Sequence, residues 1–97
     1  MNRQDILQKL RENREVFERY GIKKIGLFGS YARNEATEDS DIDLIYENDS
    51  EKSMSYIDFV ELDEYLTKSF NKKVELVNYK YMNPIIKKNS EKDFIYA

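Results

Sequence analysis

The stretch GSYARNEATEDSDIDL, residues 29–44, combines a Gly-Ser pair with two aspartates that alternate with apolar residues. From Asp41 to Tyr46 this alternation continues and is typical of a β-strand, in which successive side chains point to opposite faces. One face is expected to carry Ile42, Leu44 and Tyr46, and the other Asp41, Asp43 and Ile45. We therefore predict two carboxylates on one face of a strand, about 6–7 Å apart.

These two carboxylates need a positive partner, because they repel each other and are costly to remove from water. Clustered carboxylate oxygens suit Mg²⁺ or Mn²⁺, ions that often share a site with substrate phosphates. Gly29 allows close approach of the backbone to a phosphate, and Ser30 leads into a helix whose first N–H groups favour negative charge. Arg33 can donate to the same phosphates. The stretch indicates a site for a triphosphate and divalent metal ions.

The elements on either side of this stretch are predicted from hydrophobic periodicity. Residues 2–20 predict one helix that ends at Gly21, and residues 22–28 predict a strand that leads into the Gly-Ser turn. We expect Ser30 to cap the short helix that follows. The polar residues 47–55 predict a mobile loop.

The second half of the chain predicts two more helices and a third strand. Residues 55–70 predict an amphipathic helix that ends at Asn71, and a further helix is expected after Pro84. Residues 73–77, KVELV, predict a strand whose Glu75 faces away from the apolar side. Taken alone, such a glutamate is more often an outward-facing residue of an edge strand than a functional group.

The composition limits the chemistry that the chain can perform. Its 97 residues, of which 40% are hydrophobic and 36% charged, indicate one small domain over residues 1–97. The absence of cysteine and histidine excludes thiolate chemistry and a histidine base, so proton transfer falls to carboxylates, lysine, tyrosine or metal-bound hydroxide. No membrane span or secretory leader is recognisable, so we expect a cytoplasmic protein. The net charge of −3 argues against direct binding of nucleic acid.

The order of these features resembles the signature of the nucleotidyltransferase (DNA polymerase β-like) superfamily, and in particular of the minimal nucleotidyltransferases. The resemblance covers nearly the whole chain and implies an α/β (α+β) nucleotidyltransferase core, with a small mixed sheet of three to four strands and helices packed on one side. The residues expected to bind the nucleotide are Gly29, Ser30, Arg33 and Ser40. The residues expected to bind two Mg²⁺ ions, or Mn²⁺, and to act in catalysis are Asp41, Asp43 and Glu75.

The chain departs from the family pattern at two positions. Asn34 stands where the family commonly has glycine, and asparagine tolerates positive φ well enough to preserve that turn. Glu75 stands where many members have aspartate, and its side chain is longer by one methylene group.

The resemblance implies a metal-dependent enzyme that transfers AMP from ATP to a hydroxyl group. Minimal nucleotidyltransferases of this kind are typically paired with a HEPN-domain RNase toxin, and act as its antitoxin by adenylylating a tyrosine of the toxin. Two alternatives remain open. The chain could neutralise the toxin by binding alone, or it could transfer a nucleotide to a small molecule or an RNA end.

Overall fold

The computed structural model describes residues 1–49 and 54–97 and is centred on a β-sheet. Its strands are β1 (Ile22–Phe28), β2 (Ile42–Asn48), β3 (Val74–Asn78) and β4 (Ile95–Tyr96). They lie in the order β3-β2-β1-β4. Strand β2 is parallel to β3 and antiparallel to β1, and β4 is antiparallel to β1. The predicted mixed sheet is confirmed.

Within the described residues, five α-helices accompany the sheet. They are α1 (Arg3–Glu12), α2 (Arg14–Arg19), α3 (Gly29–Ala32), α4 (Tyr56–Phe70) and α5 (Pro84–Ser90). The predicted end of α4 is confirmed, since Asn71 has the left-handed conformation with φ of 52°. The predicted cap at Ser30 is wrong, because α3 already begins at Gly29 and its N-cap residue, Phe28, makes no side-chain capping bond.

The prediction of one continuous helix over residues 2–20 is also wrong, because the helix is interrupted at Asn13. The Asn13 side-chain amide donates to the Lys9 carbonyl oxygen at 2.8 Å, while its side-chain oxygen accepts from the Tyr65 hydroxyl at 2.5 Å. Its backbone N–H donates to Leu10, three residues back, at 3.2 Å. Asparagine side chains compete with helical backbone bonds in this way.

The hydrophobic core lies between one face of the sheet and α1, α2 and α4. Ile42, Leu44 and Tyr46 project from β2 into this core, which confirms their predicted face. The helices contribute the buried side chains Ile6, Leu7, Leu10, Phe17, Leu62, Leu66 and Phe70. Burial of each large apolar side chain stabilises the fold by about 1.5–3 kcal/mol.

The opposite face of the sheet is covered by the C-terminal segment, residues 79–94. The Phe94 ring makes edge contacts with the rings of Phe28, Tyr79 and Tyr96, at centroid distances of 5.7, 6.1 and 6.3 Å. Gly26 permits the approach of β4, because a Cβ there would lie 2.9 Å from the Ile95 carbonyl oxygen.

The predicted loop over residues 47–55 overlaps the end of β2. Residues 47 and 48 of the predicted loop belong to β2, and residues 50–53 lie outside the described residues. Across residues 1–49 and 54–97, no helix is both long enough and apolar enough to cross a membrane.

Candidate active site

The strand register aligns three side chains at the end of the sheet where β1 finishes and where β2 and β3 begin. Phe28 in β1 pairs with Asp43 in β2, and Asp43 pairs with Glu75 in β3. Paired residues of neighbouring strands point to the same face, about 5 Å apart. The two carboxylates predicted to meet, Asp43 and Glu75, are therefore adjacent on the face opposite the core.

This arrangement makes Asp43 difficult to ionise. Burial raises the pKa of Asp43 from its ordinary value of 3.8 to about 6. The negative charge of Glu75, a hydrogen bond with Glu75 and the charge of Asp41 also raise this pKa, whereas the Arg33 guanidinium acts in the opposite direction. The site thus holds more negative charge than its surroundings compensate.

Asp41 lies immediately before β2 and has a partner that sequence reasoning missed. Its carboxylate oxygen is 3.9 Å from the ammonium group of Lys73, which immediately precedes β3. The Lys73 side chain is 78% exposed, so the pair contributes only about 0–1 kcal/mol. No sequence motif indicates this contact, because it depends on how β2 and β3 are aligned.

The chemistry of the carboxylates fits a divalent cation, although their arrangement is incomplete. Among the described residues, no three acidic side chains are close enough together to form a complete set of metal ligands. In the same part of the chain, neither Asp43 nor Glu75 is ion-paired with lysine or arginine. Asp43 and Glu75 thus offer adjacent carboxylate oxygens, whereas Asp41 lies beside Lys73.

The Gly29 turn lies directly against this pair. Gly29 has φ of +74°, and a Cβ at this position would lie 2.2 Å from the Asp43 Oδ2 atom. Only glycine avoids both the backbone strain and the clash. The half-buried Ser30 follows in the first turn of α3. The structure therefore brings the predicted phosphate-binding turn next to the predicted metal ligands.

The two other predicted nucleotide ligands are engaged within the protein. The Arg33 guanidinium donates to the carboxylates of Glu35 at 3.1 Å and of Asp93 at 3.4 Å. The Ser40 hydroxyl oxygen accepts from the Thr37 backbone N–H at 2.9 Å and so closes a turn. The conformation expected at Asn34 is confirmed by its φ of 62°.

A cavity of about 330 Å³, here named the site cavity, opens beside the aligned side chains. Its polar lining includes Asp43, Glu75 and Asn83, and its apolar walls include Phe28, Val77, Met82 and Ile86. Sequence reasoning missed the last two residues, although the paired isoleucines after Pro84 were an available signal. A larger cavity of about 470 Å³ is lined by Arg14, Lys23 and Lys24 but by none of the predicted site residues.

Comparisons of sequence with known proteins agree with this geometry. Residues 6–97 match the model of the nucleotidyltransferase domain family. A protein of Methanocaldococcus jannaschii, named as a protein adenylyltransferase, is 44% identical over 96% of this chain and 95% of its own length. The protein adenylyltransferase MntA of Thermococcus cleftensis is 40% identical over 87% of this chain and 83% of its own length.

Solved structures share the same fold. A structure described as a minimal nucleotidyltransferase superposes with a TM-score of 0.80, at 24% identity, over 98% of this chain and 95% of its own. A toxin–antitoxin crystal structure with AMP-PNP superposes with a TM-score of 0.63, at 26% identity, over 89% of this chain and 64% of its own. The arrangement of helices and mixed sheet is therefore that of minimal nucleotidyltransferases.

Proposed function

Because the chain belongs to the nucleotidyltransferase domain family and is a nucleotidyltransferase, we propose that it transfers AMP from ATP to a tyrosine hydroxyl of a HEPN-domain toxin. By this reaction it acts as the antitoxin of that toxin. The observation that carries the proposal is the adjacency of Asp43 and Glu75 in the sheet, directly against the Gly29 turn.

The chain's own groups hold the nucleotide in this proposal. The phosphates lie along the turn of Gly29 and Ser30, where backbone N–H groups can donate to them and no Cβ intervenes. Arg33 binds the phosphates by exchanging its hydrogen bonds to Glu35 and Asp93. Ser40 remains a proposed ligand through its place next to Asp41 in the chain.

The acidic residues are proposed to bind the metal ions and to accept a proton. Asp41, Asp43 and Glu75 would hold two Mg²⁺ ions, or Mn²⁺, and these ions supply positive charge that neutralises the triphosphate and the departing pyrophosphate. The acceptor oxygen forms a bond to the α-phosphorus, and the bond from that phosphorus to the oxygen of the pyrophosphate breaks. The hydroxyl proton passes to the Glu75 carboxylate, since the chain has no histidine to accept it.

The choice of a protein acceptor is supported by the names of similar proteins. Relatives 40–44% identical to this chain are named as protein adenylyltransferases. The AMP-PNP complex, 26% identical to this chain, is described as a toxin–antitoxin structure. The competing proposals are neutralisation by binding alone, and transfer to a small molecule or an RNA end.

The test uses this chain purified together with a HEPN-domain protein as the acceptor, Mg²⁺ and ATP labelled at the α-phosphate. We expect label on a toxin tyrosine, detected by intact-mass analysis and peptide mapping, together with release of pyrophosphate. Asp43→Asn should abolish transfer, whereas Asp39→Asn, a matched change at an exposed aspartate outside the site, should not. Complete neutralisation by Asp43→Asn without transfer would establish the binding-only alternative. Transfer that persists in both Asp41→Ala and Asp43→Ala would remove the assigned site.

A further inference from the structure

The start of β1 lines a cavity whose charge is opposite to that of the chain as a whole. This cavity of about 470 Å³ is formed by residues of α1, α2, β1 and β4, at the end of β1 away from the acidic pair. We name it the basic cavity, because its lining includes the side chains of Arg11, Arg14, Lys23 and Lys24. Within the described part of the chain, Glu18 is the one acidic side chain in this lining. The chain itself carries a net charge of −3.

Most of these cations have no carboxylate partner within the protein. Among the described residues, the exposed side chains of Arg11, Arg14 and Lys23 form no ion pair. The Lys24 ammonium group is 4.0 Å from the Glu47 carboxylate. Guanidinium groups bind carboxylates through two parallel hydrogen bonds, which gives them geometric specificity as well as charge. The basic cavity therefore offers unused donors to an anionic group.

The basic cavity also borders an open edge of the sheet. Strand β4 pairs with Gly26 and Leu27, and the Ala97 N–H donates to the Ile25 carbonyl oxygen at 2.9 Å. No described strand pairs with residues 22–24 on this side of β1. These three residues expose backbone donors and acceptors over about 10 Å. An open edge of this kind can bind an extended peptide as an additional strand.

The combination of charge, open edge and apolar floor favours an acidic peptide as the occupant. The floor is formed by Leu10, Phe17, Ile22 and Ile25. In an extended peptide, successive side chains point to opposite sides, so carboxylates can reach the cations while apolar side chains contact the floor. A phosphate ion or a nucleic acid would use the cations but could not pair with the strand edge as a peptide backbone does. A second copy of this edge would bring lysine against lysine, which is unfavourable.

We infer that the basic cavity binds an extended, acidic segment of a partner protein, and that this segment pairs with the open edge of β1 at residues 22–24. The contact goes beyond the proposed function, because none of the residues assigned to AMP transfer lines this cavity.

Nuclear magnetic resonance with a model peptide tests the inference. The probe is the acetylated and amidated pentapeptide Glu-Val-Glu-Val-Glu, and the control is Lys-Val-Lys-Val-Lys. In the ¹⁵N-labelled protein, the acidic peptide should shift the backbone amide signals of Lys23 and Lys24 in a saturable manner. The signals of Leu76 and Val77, which lie in β3, should not change. The lysine peptide should shift none of these signals, and added salt should weaken the binding of the acidic peptide.

A backbone-methylated form of the acidic peptide separates strand pairing from charge attraction. Methylation of its backbone nitrogens removes the donors to the strand edge and leaves every carboxylate in place. We expect this peptide to bind at least about tenfold more weakly than the unmodified one. Equal affinity of the two peptides would overturn the inference, because no strand would then be added to β1.

A matched pair of double variants tests the cations. Arg14→Gln with Lys23→Gln removes two cations of the basic cavity, whereas Arg19→Gln with Lys88→Gln removes the same charge from exposed residues that do not line it. We expect the first double variant to bind the acidic peptide about tenfold more weakly and the second to change its affinity by less than about twofold. The amide spectra verify that both variants fold. Equal weakening in the two would overturn the inference, since only net charge would matter.

Three other results would overturn the inference. One is an unchanged Lys23 amide signal at saturating acidic peptide. Another is binding of oligouridine or inorganic phosphate at the Lys23 and Lys24 amides at least as tightly as the peptide, because the cavity would then be a phosphate site. The third is a shift of these signals when the protein alone is diluted, because a second copy of the chain would then occupy the edge. None of these measurements depends on AMP transfer, so the inference can fail while the proposed function stands.

Discussion

At the residue scale, Asp43 makes the stability of the metal-free protein depend on pH. Its pKa is raised to about 6, so the folded state holds a proton more tightly than the unfolded chain does. The resulting stabilisation is complete below about pH 3.8 and is lost as the pH rises through about 6. The ionised carboxylate therefore destabilises the fold at neutral pH.

Asp43→Asn should relieve this destabilisation. At pH 7.5 in EDTA, we expect the free energy of unfolding of the variant to exceed that of the wild type by about 1 kcal/mol. This value allows for solvent screening at the half-buried site. The difference should vanish or reverse at pH 4. Urea unfolding at the two pH values measures it. Mg²⁺ should stabilise the wild type more than the variant. In EDTA at pH 7.5, a variant less stable than the wild type would contradict the prediction.

Gly29 is the residue at which the backbone conformation and the acidic pair constrain each other. In Gly29→Ala the new methyl group meets the Asp43 carboxylate and the backbone keeps an unfavourable φ, so we expect a loss of about 1–3 kcal/mol in the free energy of unfolding. AMP transfer per folded molecule should also fall.

Gly21→Ala is the control for that variant. Gly21 also has positive φ, 76°, but lies at the opposite end of β1. We expect it to lose stability while the folded fraction retains its transfer activity. Equal activity per folded molecule in the two variants would show that the contact with Asp43 does not matter.

Single residues were predictable where the signal was local. The alternation around Asp43 fixed its face, and the same rule placed Glu75 opposite the core, so both could be predicted from short stretches. The contacts of Lys73 with Asp41 and of Arg33 with Asp93 join residues 32 and 60 positions apart. Such pairs follow from tertiary packing, which no local pattern encodes.

At the element scale, β4 depends on the missing side chain at Gly26. Gly26→Ala should push β4 away from β1, since the new Cβ would lie 2.9 Å from a carbonyl oxygen and 3.0 Å from the Tyr96 ring. The bond from the Ala97 N–H to the Ile25 carbonyl, now 2.9 Å, should weaken. Hydrogen exchange at Ala97 should accelerate, while the amides between β1 and β2 remain protected. Unchanged protection at Ala97 would contradict this expectation.

Most helices and strands were predicted correctly because the spacing of hydrophobic residues indicates which side of each element faces the core. The failure at residues 2–20 is instructive, since the apolar stripe continues through both helices although the helix itself is interrupted. Asn13 interrupts it with help from Tyr65, 52 positions away in sequence. The hydrophobic pattern was therefore sufficient to predict the buried face but not the continuity of the helix.

At the scale of the whole molecule, Arg33, which follows α3, is linked to the C-terminal segment by its hydrogen bond to Asp93. If Arg33 also binds phosphate, Asp93 competes with ATP for it. Asp93→Asn should therefore lower the KM for ATP by up to about fivefold, the factor that corresponds to the roughly 1 kcal/mol of an exposed ion pair. Steady-state kinetics with wild type and Asp93→Asn measure the change. A higher KM for ATP would show that Asp93 instead orients Arg33 for binding.

The C-terminal segment is also the part of the molecule that sequence reasoning described least well. Its helix after Pro84 was predicted, but its position over the second sheet face was not. That position depends on the contacts of Phe94 with rings that are far apart in sequence. Consequently the acidic pair was predictable, whereas the apolar half of the site cavity was not.

The register that aligns Phe28, Asp43 and Glu75 has a consequence for quality control of the protein. If the pairing of β1 with β2, or of β2 with β3, were displaced by one residue, Phe28 or Glu75 would no longer lie on the same face as Asp43. Molecules assembled with such an error would be catalytically silent rather than partly impaired. Activity divided by the amount of total protein thus measures the fraction of chains that have assembled correctly.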